Sequence, residues 1–241
     1  MSLSFLKYKN ISTNEDMVRD ILKLADTHPE VFVNLTSFLA RYKKNRTVFS
    51  DIDEIIELEF NSPKYGLDDE NRVNLIKTIK DLYGNIEKKF NRIRSKILEE
   101  FIYNFGPVST RNPIIINQLH RYIEPTIMDG EDIVGITNKK CDLVFIDKNH
   151  IFIEFVECKT DICNVIPRNR PFDKAGKAHR DKVEYLENAY NYLKDNYCEP
   201  KIYFACFNSD YEDSLNNLQQ NWGYEYMDFV NPKKLLENNF S

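Results

Sequence analysis

Apolar residues in the first half of the chain recur at the spacing of amphipathic helices. In STNEDMVRDILKLADTH, Met17, Ile21 and Leu24 share one helical face, and the Ser and Thr at its start are typical N-cap residues. PEVFVNLTSFLARYKKN is a second helical segment. Residues 71–107 carry apolar positions every three or four residues, interrupted near Gly84, which predicts one long helix or two consecutive ones.

The second half alternates short β-rich runs with helical segments. PIIINQL, DIVGIT, CDLVFID and HIFIEFVECK are separated by turn residues and predict a meander that leads into a central strand. Helix DKVEYLENAYNYLKDNY, strand KIYFACFN, helix YEDSLNNLQQNW and strand YEYMDFV follow. The order predicts an α/β fold with a mixed central sheet flanked by helices.

A break between the two patterns lies at Asn61-Ser-Pro and Tyr65-Gly, where turn residues interrupt the periodicity. We therefore predict an N-terminal helical region, residues 1–65, as a dimerisation or DNA-contact element, and a larger region, residues 66–241, that contains the sheet.

Composition narrows the class of protein. With 42% hydrophobic and 29% charged residues, the chain is typical of a globular protein, and its net charge is -5. Seven glycines and the lack of a G-x-G-x-x-G or G-x-x-x-x-G-K-[ST] motif argue against a nucleotide-binding loop. Five cysteines without a C-x-x-C pair, no signal peptide at the start and no long apolar run predict a cytoplasmic protein that does not enter a membrane.

Three charged residues interrupt the two most hydrophobic runs. Asp142 begins one predicted strand, and Glu157 and Lys159 end the next one, on one face of it because strand side chains alternate. A hairpin that turns at residues 147–150 brings Asp142 opposite residues 155–157, so the three groups converge. Two close carboxylates repel unless a hard cation such as Mg²⁺ binds both, and that chemistry suits phosphodiester hydrolysis.

This D-x(14)-E-x-K pattern on adjacent strands resembles the PD-(D/E)xK nuclease superfamily, which has the restriction-endonuclease-like fold. KCDLVFID is similar to its acidic strand, with Cys141 in place of the proline, and FVECKT is similar to its E-x-K strand. SKILEEFIYNFG resembles the preceding acidic helix, with Glu99 as the better match and Glu100 as the alternative. The likeness covers about residues 85–232.

The resemblance implies a site and an activity. Asp142, Glu157 and Glu99 would bind Mg²⁺, for which Mn²⁺ can substitute, and Lys159 would position the attacking water. The implied protein is a homodimeric DNA endonuclease of type II restriction character, with residues 66–241 as its nuclease core. A repair or junction-resolving nuclease, and a nucleic-acid-binding module without catalysis, are the alternatives.

Two further features bear on the partner and the site. The segment after the E-x-K strand is basic and predicts contacts with the phosphates of double-stranded DNA, although a solvated surface is the other reading. Its basic residues are Arg168, Arg170, Lys174, Lys177, Arg180 and Lys182. Glu154 interrupts the apolar run on the face opposite Glu157; we favour a structural role over that of an alternative metal ligand brought round by a bulge.

Overall fold

The computed structural model describes residues 3–6, 15–135 and 139–240, with the backbone alone for residues 239 and 240. The chain forms two compact units: one comprises residues 12–101, and the other comprises residues 1–11 and 102–241. In the described residues, the first unit is helical and the second contains two sheets. The predicted α/β class is confirmed.

The helical unit is built from amphipathic helices whose apolar faces form its core. Its elements are α1 (Asp16–Thr27), α2 (Pro29–Arg41), α3 (Ile52–Phe60), α4 (Asp69–Tyr83) and α5 (Glu87–Phe105), the last of which continues into the second unit. Gly84 follows α4, so the long apolar segment forms two consecutive helices. Ser12 and Thr13, the predicted caps of α1, lie outside the described residues. None of the helices in the described ranges has an apolar stretch that could cross a membrane.

The division between the units differs from the predicted boundary at residues 65 and 66. Helix α4 packs against α1 and α3, so residues 69–101 group with the N-terminal helices. The Pro63–Tyr65 turn, closed by Gly66 with φ +63°, is a connection inside the helical unit. A turn signal marks where a helix stops, but the apolar faces decide which helices pack together.

The sheet unit contains strands and shorter helices. Its elements are β1 (Leu3–Leu6), α6 (Pro113–Ile116), β2 (Leu119–Ile123), β3 (Thr126–Asp129), β4 (Asp132–Ile133), β5 (Leu143–Asp147), β6 (Ile153–Cys158), α7 (Ile162–Val165), α8 (Lys177–Asn196), β7 (Lys201–Ala205), α9 (Glu212–Asn216), β8 (Met227–Val230) and α10 (Pro232–Phe240). A π-helical turn, Asn217–Asn221, follows α9.

The prediction of a strand over PIIINQL is wrong for its first part. Asn112 caps a short helix there, because its side chain accepts a hydrogen bond from the Ile114 N–H and Pro113 occupies the first helical position. The strand begins only at Leu119. Of DIVGIT, only β4 is a strand, and residues 136 and 137 lie outside the described residues. Strand β1 was not predicted.

The five-stranded sheet has the order β2-β5-β6-β7-β8, and the three-stranded sheet has the order β1-β3-β4. Strands β2, β5 and β6 are antiparallel neighbours, whereas β6, β7 and β8 are parallel, so the larger sheet is mixed. Leu143 pairs with Val156, which confirms the predicted hairpin register. The Asp147 carboxylate closes the turn by accepting hydrogen bonds from the Ile151 and Phe152 N–H groups, both at 2.8 Å.

Both faces of the β5–β6 hairpin are buried. On one face, Ile153 and Phe155 join a core that includes Leu186 and Ala189 of α8. On the other face, Phe145 contacts the backbone at Gly106, which follows α5. Burial on both sides explains why these strands are apolar almost throughout, and it makes each charged residue in them a position that needs a partner.

The close approach at Gly106 yields a stability prediction. An alanine Cβ at this position would lie 2.6 Å from Phe145 Cζ and 2.7 Å from the Ile102 carbonyl oxygen. We expect Gly106→Ala to lower the free energy of unfolding by about 2 kcal/mol, the usual cost of overpacking a core, as measured by urea denaturation. Gly84→Ala is the control: its Cβ would approach no atom closer than 3.4 Å, so stability should stay within about 1 kcal/mol of wild type. Equal stability of both variants would contradict the packing described.

Candidate active site

Asp142, Glu157 and Lys159 meet at one end of the β5–β6 hairpin. The Lys159 ammonium lies 2.5 Å from Glu157 Oε1 and 3.6 Å from Asp142 Oδ2. The backbone fixes both carboxylates, because the Cys158 N–H donates to Asp142 Oδ2 at 2.8 Å and the Asp142 N–H lies 3.3 Å from Glu157 Oε2. The structure therefore brings together the three residues that the sequence predicts to converge.

The environment of these groups is largely closed to solvent. The side chain of Glu157 is 0% exposed, and those of Asp142 and Lys159 are 20% and 29% exposed. Burial and then the Asp142 carboxylate raise the pKa of Glu157, while the nearby lysines oppose this rise. Burial acts to lower the pKa of Lys159, but the Glu157 and Asp142 carboxylates outweigh it, and the net pKa lies above the usual lysine range.

A second lysine enters the cluster from α8. Lys182 Nζ lies 3.0 Å from Glu157 Oε2, so each oxygen of the buried carboxylate faces a different ammonium group. The sequence prediction assigned Lys182 to the DNA-contacting segment and not to this cluster. The sequence did contain a signal for the position of Lys182. This residue lies at helical spacing from Tyr185, Leu186 and Ala189, which lie on the buried face of α8.

The oxygen atoms around Lys159 suit a hard cation. Its ammonium lies 3.0 Å from the Cys158 carbonyl oxygen, in addition to the two carboxylates. Among the described residues, no three Asp, Glu, His or Cys side chains form a ready metal cluster. Mg²⁺ needs fewer protein ligands, since it commonly binds one or two carboxylates and completes its shell with waters and substrate phosphate. The donor set therefore fits Mg²⁺, with Asp142 and Glu157 as the residues that would hold it.

The predicted helix acid lies on α5. Glu99 is half-buried, whereas the adjacent Glu100 is 6% exposed. Burial raises the pKa of Glu100, Lys96 opposes the rise and Glu15 adds to it. Both glutamates belong to the helical unit, residues 12–101. The assignment of Glu99, with Glu100 as the alternative, stays a prediction.

Glu154 has a set of hydrogen bonds that ties the chain after α5 to the sheet. Its carboxylate accepts from the Val108 N–H at 2.6 Å, from the Ser109 N–H at 2.8 Å and from the Ser109 hydroxyl at 2.6 Å. Within the described residues, strand β6 pairs with β5 and β7 through Glu154 without a bulge. Glu154 therefore stays on the face of β6 opposite Glu157. These contacts give Glu154 the structural role that we favoured.

The basic segment after β6 divides into residues with different surroundings. Arg170 and Lys177 are exposed. Arg168 lies 2.8 Å from Asp210, and Lys174 lies 3.5 Å from Asp173. Such exposed ion pairs contribute little stability, so these two cations can exchange partners for phosphate. Arg180 instead donates to the carbonyl oxygens of residues 173 and 175 at 2.8 and 2.6 Å, which fixes the turn before α8.

Side chains from the π-helical turn and from the residue after it hold the first part of this segment. The buried Asn217 side chain donates to the Pro167 and Arg170 carbonyl oxygens at 2.6 and 2.9 Å, and the Trp222 indole N–H also donates to the Arg170 carbonyl at 2.8 Å. Phe172 packs edge-on against Trp222 with ring centroids 5.2 Å apart. The loop therefore presents its arginines from a fixed backbone, which the sequence pattern did not predict.

Comparison with known proteins adds no family: no model of a protein family matches the chain, and a search of curated proteins found no match. The case for a function therefore rests on the chemistry and geometry of the side chains described above.

Proposed function

We propose that this protein is a Mg²⁺-dependent DNA endonuclease. The observation that carries the proposal is the convergence of Asp142, Glu157 and Lys159 at one end of a buried hairpin. Two carboxylates and a lysine in so closed a setting offer oxygen ligands for a divalent cation and a positive hydrogen-bond donor beside it. In a solvated surface cluster the charged side chains would be exposed, whereas the side chain of Glu157 is 0% exposed.

We further propose the restriction-endonuclease-like fold for the sheet unit. Its support is the mixed sheet, in which an antiparallel hairpin carries the acidic residues and is continued by the parallel strands β7 and β8. Helix α8 connects β6 to β7 in the order that the sequence resemblance implies.

Each residue of the site has a proposed task. Asp142 and Glu157 would hold the metal ion. Lys159 would donate a hydrogen bond to the attacking water and hold it against the phosphate. When bound, Mg²⁺ would stabilise the negative charge that builds on the scissile phosphate.

Duplex DNA is the proposed substrate, and a type II restriction enzyme is the proposed kind of nuclease. The basic segment follows the E-x-K strand and runs into the first turns of α8, and its exposed Arg170 and Lys177 offer positive charge to phosphates. Simultaneous cutting of both strands uses one active site for each strand, so we propose a homodimer.

The proposal is tested by comparing substrates. Purified protein in Mg²⁺ is incubated with a long linear duplex and, separately, with a four-way DNA junction whose arms have equal lengths. Discrete duplex fragments with a shared sequence at their ends would support a restriction enzyme. Cleavage of the junction alone would support a junction-resolving nuclease, and DNA binding without any cleavage would support the non-catalytic alternative.

The exposed basic residues lead to a binding prediction. We expect Arg170→Ala and Lys177→Ala each to weaken duplex binding in EDTA and to reduce the slope of log K against log salt by about one, since each would remove one phosphate contact. Lys233→Ala is the matched control, because Lys233 is an exposed lysine that pairs with Glu237 on α10. Fluorescence anisotropy at several salt concentrations measures both quantities. An unchanged slope in both variants would contradict a phosphate-contacting role.

A further inference from the structure

Lys182 occupies an unusual place for a lysine. It lies on α8 in line with Tyr185, Leu186 and Ala189, which are buried in the core of the sheet unit. Its side chain is only 18% exposed. A lysine on a buried helical face loses hydration and must find acceptors inside the protein.

Lys182 finds acceptors in β6 and in the chain that leads into β5, the two elements at the candidate site. Its ammonium lies 3.0 Å from Glu157 Oε2, and it also donates to the carbonyl oxygen of Lys140, two residues before Asp142. Lys182 thus joins helix α8 both to the segment that leads to Asp142 and to Glu157.

The two lysines hold Glu157 in different ways. Lys159 contacts Oε1, and it also lies near Asp142 Oδ2 and the Cys158 carbonyl, whereas Lys182 contacts Oε2 together with the Asp142 N–H. If Lys159 turns toward a water or a phosphate, Glu157 therefore keeps an ionic partner and a backbone hydrogen bond on its other oxygen. Such a partner keeps a buried carboxylate oriented while the first lysine serves the substrate.

We infer that Lys182 is a positioning residue of the candidate active site, which holds Glu157 and the chain before Asp142 in place so that Lys159 is released for substrate. This inference rests on the proposed nuclease function and deepens it. It also replaces the sequence prediction for this residue, because a side chain engaged with Glu157 and Lys140 acts through the carboxylate and not through a direct contact with DNA.

The test compares Lys182→Met and Lys182→Arg with wild type. Cleavage rate is measured as a function of Mg²⁺ concentration, and duplex binding is measured in EDTA. We expect Lys182→Met to require about 10-fold more Mg²⁺ for half-maximal rate and to cut about 10- to 100-fold more slowly, the usual range for residues that support metal ligands. Lys182→Arg should recover part of the rate, and DNA affinity in EDTA should change less than about twofold in both.

Lys194→Met is the matched control, because Lys194 lies on the same helix with its side chain 50% exposed. It should leave the Mg²⁺ dependence and the rate unchanged. The inference would be overturned if Lys182→Met weakened DNA binding in EDTA and lowered its salt dependence while cutting normally at saturating DNA. That result would make Lys182 a phosphate contact, as the sequence first suggested. Normal binding together with normal cleavage would overturn it as well.

A measurement without cleavage separates this inference from the proposed function. The thermal midpoints of Glu157→Gln, Lys182→Met and the double variant are compared with wild type. Direct action of Lys182 on Glu157 predicts that the double variant shifts by less than the sum of the single shifts. Additive shifts would overturn the positioning role, whether or not the protein cuts DNA. Non-additive shifts in a protein that neither cuts nor binds Mg²⁺ would keep Lys182 as the partner of Glu157 and remove the nuclease proposal.

Discussion

Replacing Asp142 with asparagine will lower the rate of Mg²⁺-dependent DNA cleavage by about 10³-fold, the scale of losing a group that stabilises charge in the transition state. The substitution removes one of the two negative charges that would hold the cation. It preserves the local fold, because the asparagine oxygen can still accept the hydrogen bond that the Cys158 N–H donates at 2.8 Å. The effect should therefore appear in the cleavage rate and not in the thermal midpoint or in duplex binding in EDTA.

Asp228→Asn is a suitable control for this experiment. Asp228 is a carboxylate on β8 of the same sheet, and it lies 3.5 Å from Lys234, outside the candidate site. It should cut at the wild-type rate. Cleavage by Asp142→Asn within about threefold of the control would contradict a metal-binding role for Asp142, since losing a ligand charge costs far more than that.

The second large effect concerns stability. Glu154→Ala will lower the free energy of unfolding by about 4 kcal/mol, because the substitution leaves the Val108 N–H and both Ser109 donors without their acceptor at a buried position. Burial raises the pKa of Glu154, while these hydrogen bonds and Arg111 act in the opposite direction. Glu154→Gln should lower the free energy of unfolding by a smaller amount, since the glutamine side chain keeps one oxygen acceptor. Urea denaturation of the variants measures both losses.

Glu225→Ala provides the comparison for an exposed glutamate of the same unit. Its effect should stay within about 0.5 kcal/mol. If Glu154→Ala lowered the free energy of unfolding no more than this control does, the hydrogen bonds between Glu154 and the chain after α5 would contribute nothing to stability. The reading of Glu154 as a residue that joins the chain after α5 to the sheet would then be wrong.

The hairpin could be predicted from sequence because its physical determinants are local. The alternation of side chains along a strand sets the faces of β5 and β6, and the short turn after Asp147 sets the pairing of Leu143 with Val156. From these two facts the meeting of Asp142, Glu157 and Lys159 follows. The α/β class follows in the same way from alternating helical and strand periodicities.

Features that depend on packing between distant segments could not be predicted in the same way. Lys182 is 25 residues from Glu157, and its burial depends on where α8 lies across the sheet. The grouping of α4 with α1 depends on apolar faces whose partners the sequence does not identify. The hold of Asn217 and Trp222 on the loop at Arg170 likewise joins segments about 50 residues apart, for which no short-range signal exists.

The nuclease proposal is tested most directly by incubating supercoiled, unmethylated plasmid DNA and phage DNA with the purified protein in Mg²⁺, beside a reaction in EDTA. If the protein is a Mg²⁺-dependent endonuclease that uses Asp142, Glu157 and Lys159, we expect discrete DNA fragments in the Mg²⁺ reaction and none in the EDTA reaction. The fragments should also be absent when Lys159→Met is used in Mg²⁺. Intact DNA in both Mg²⁺ and Mn²⁺, or fragments that persist in Lys159→Met, would contradict the assignment of this site.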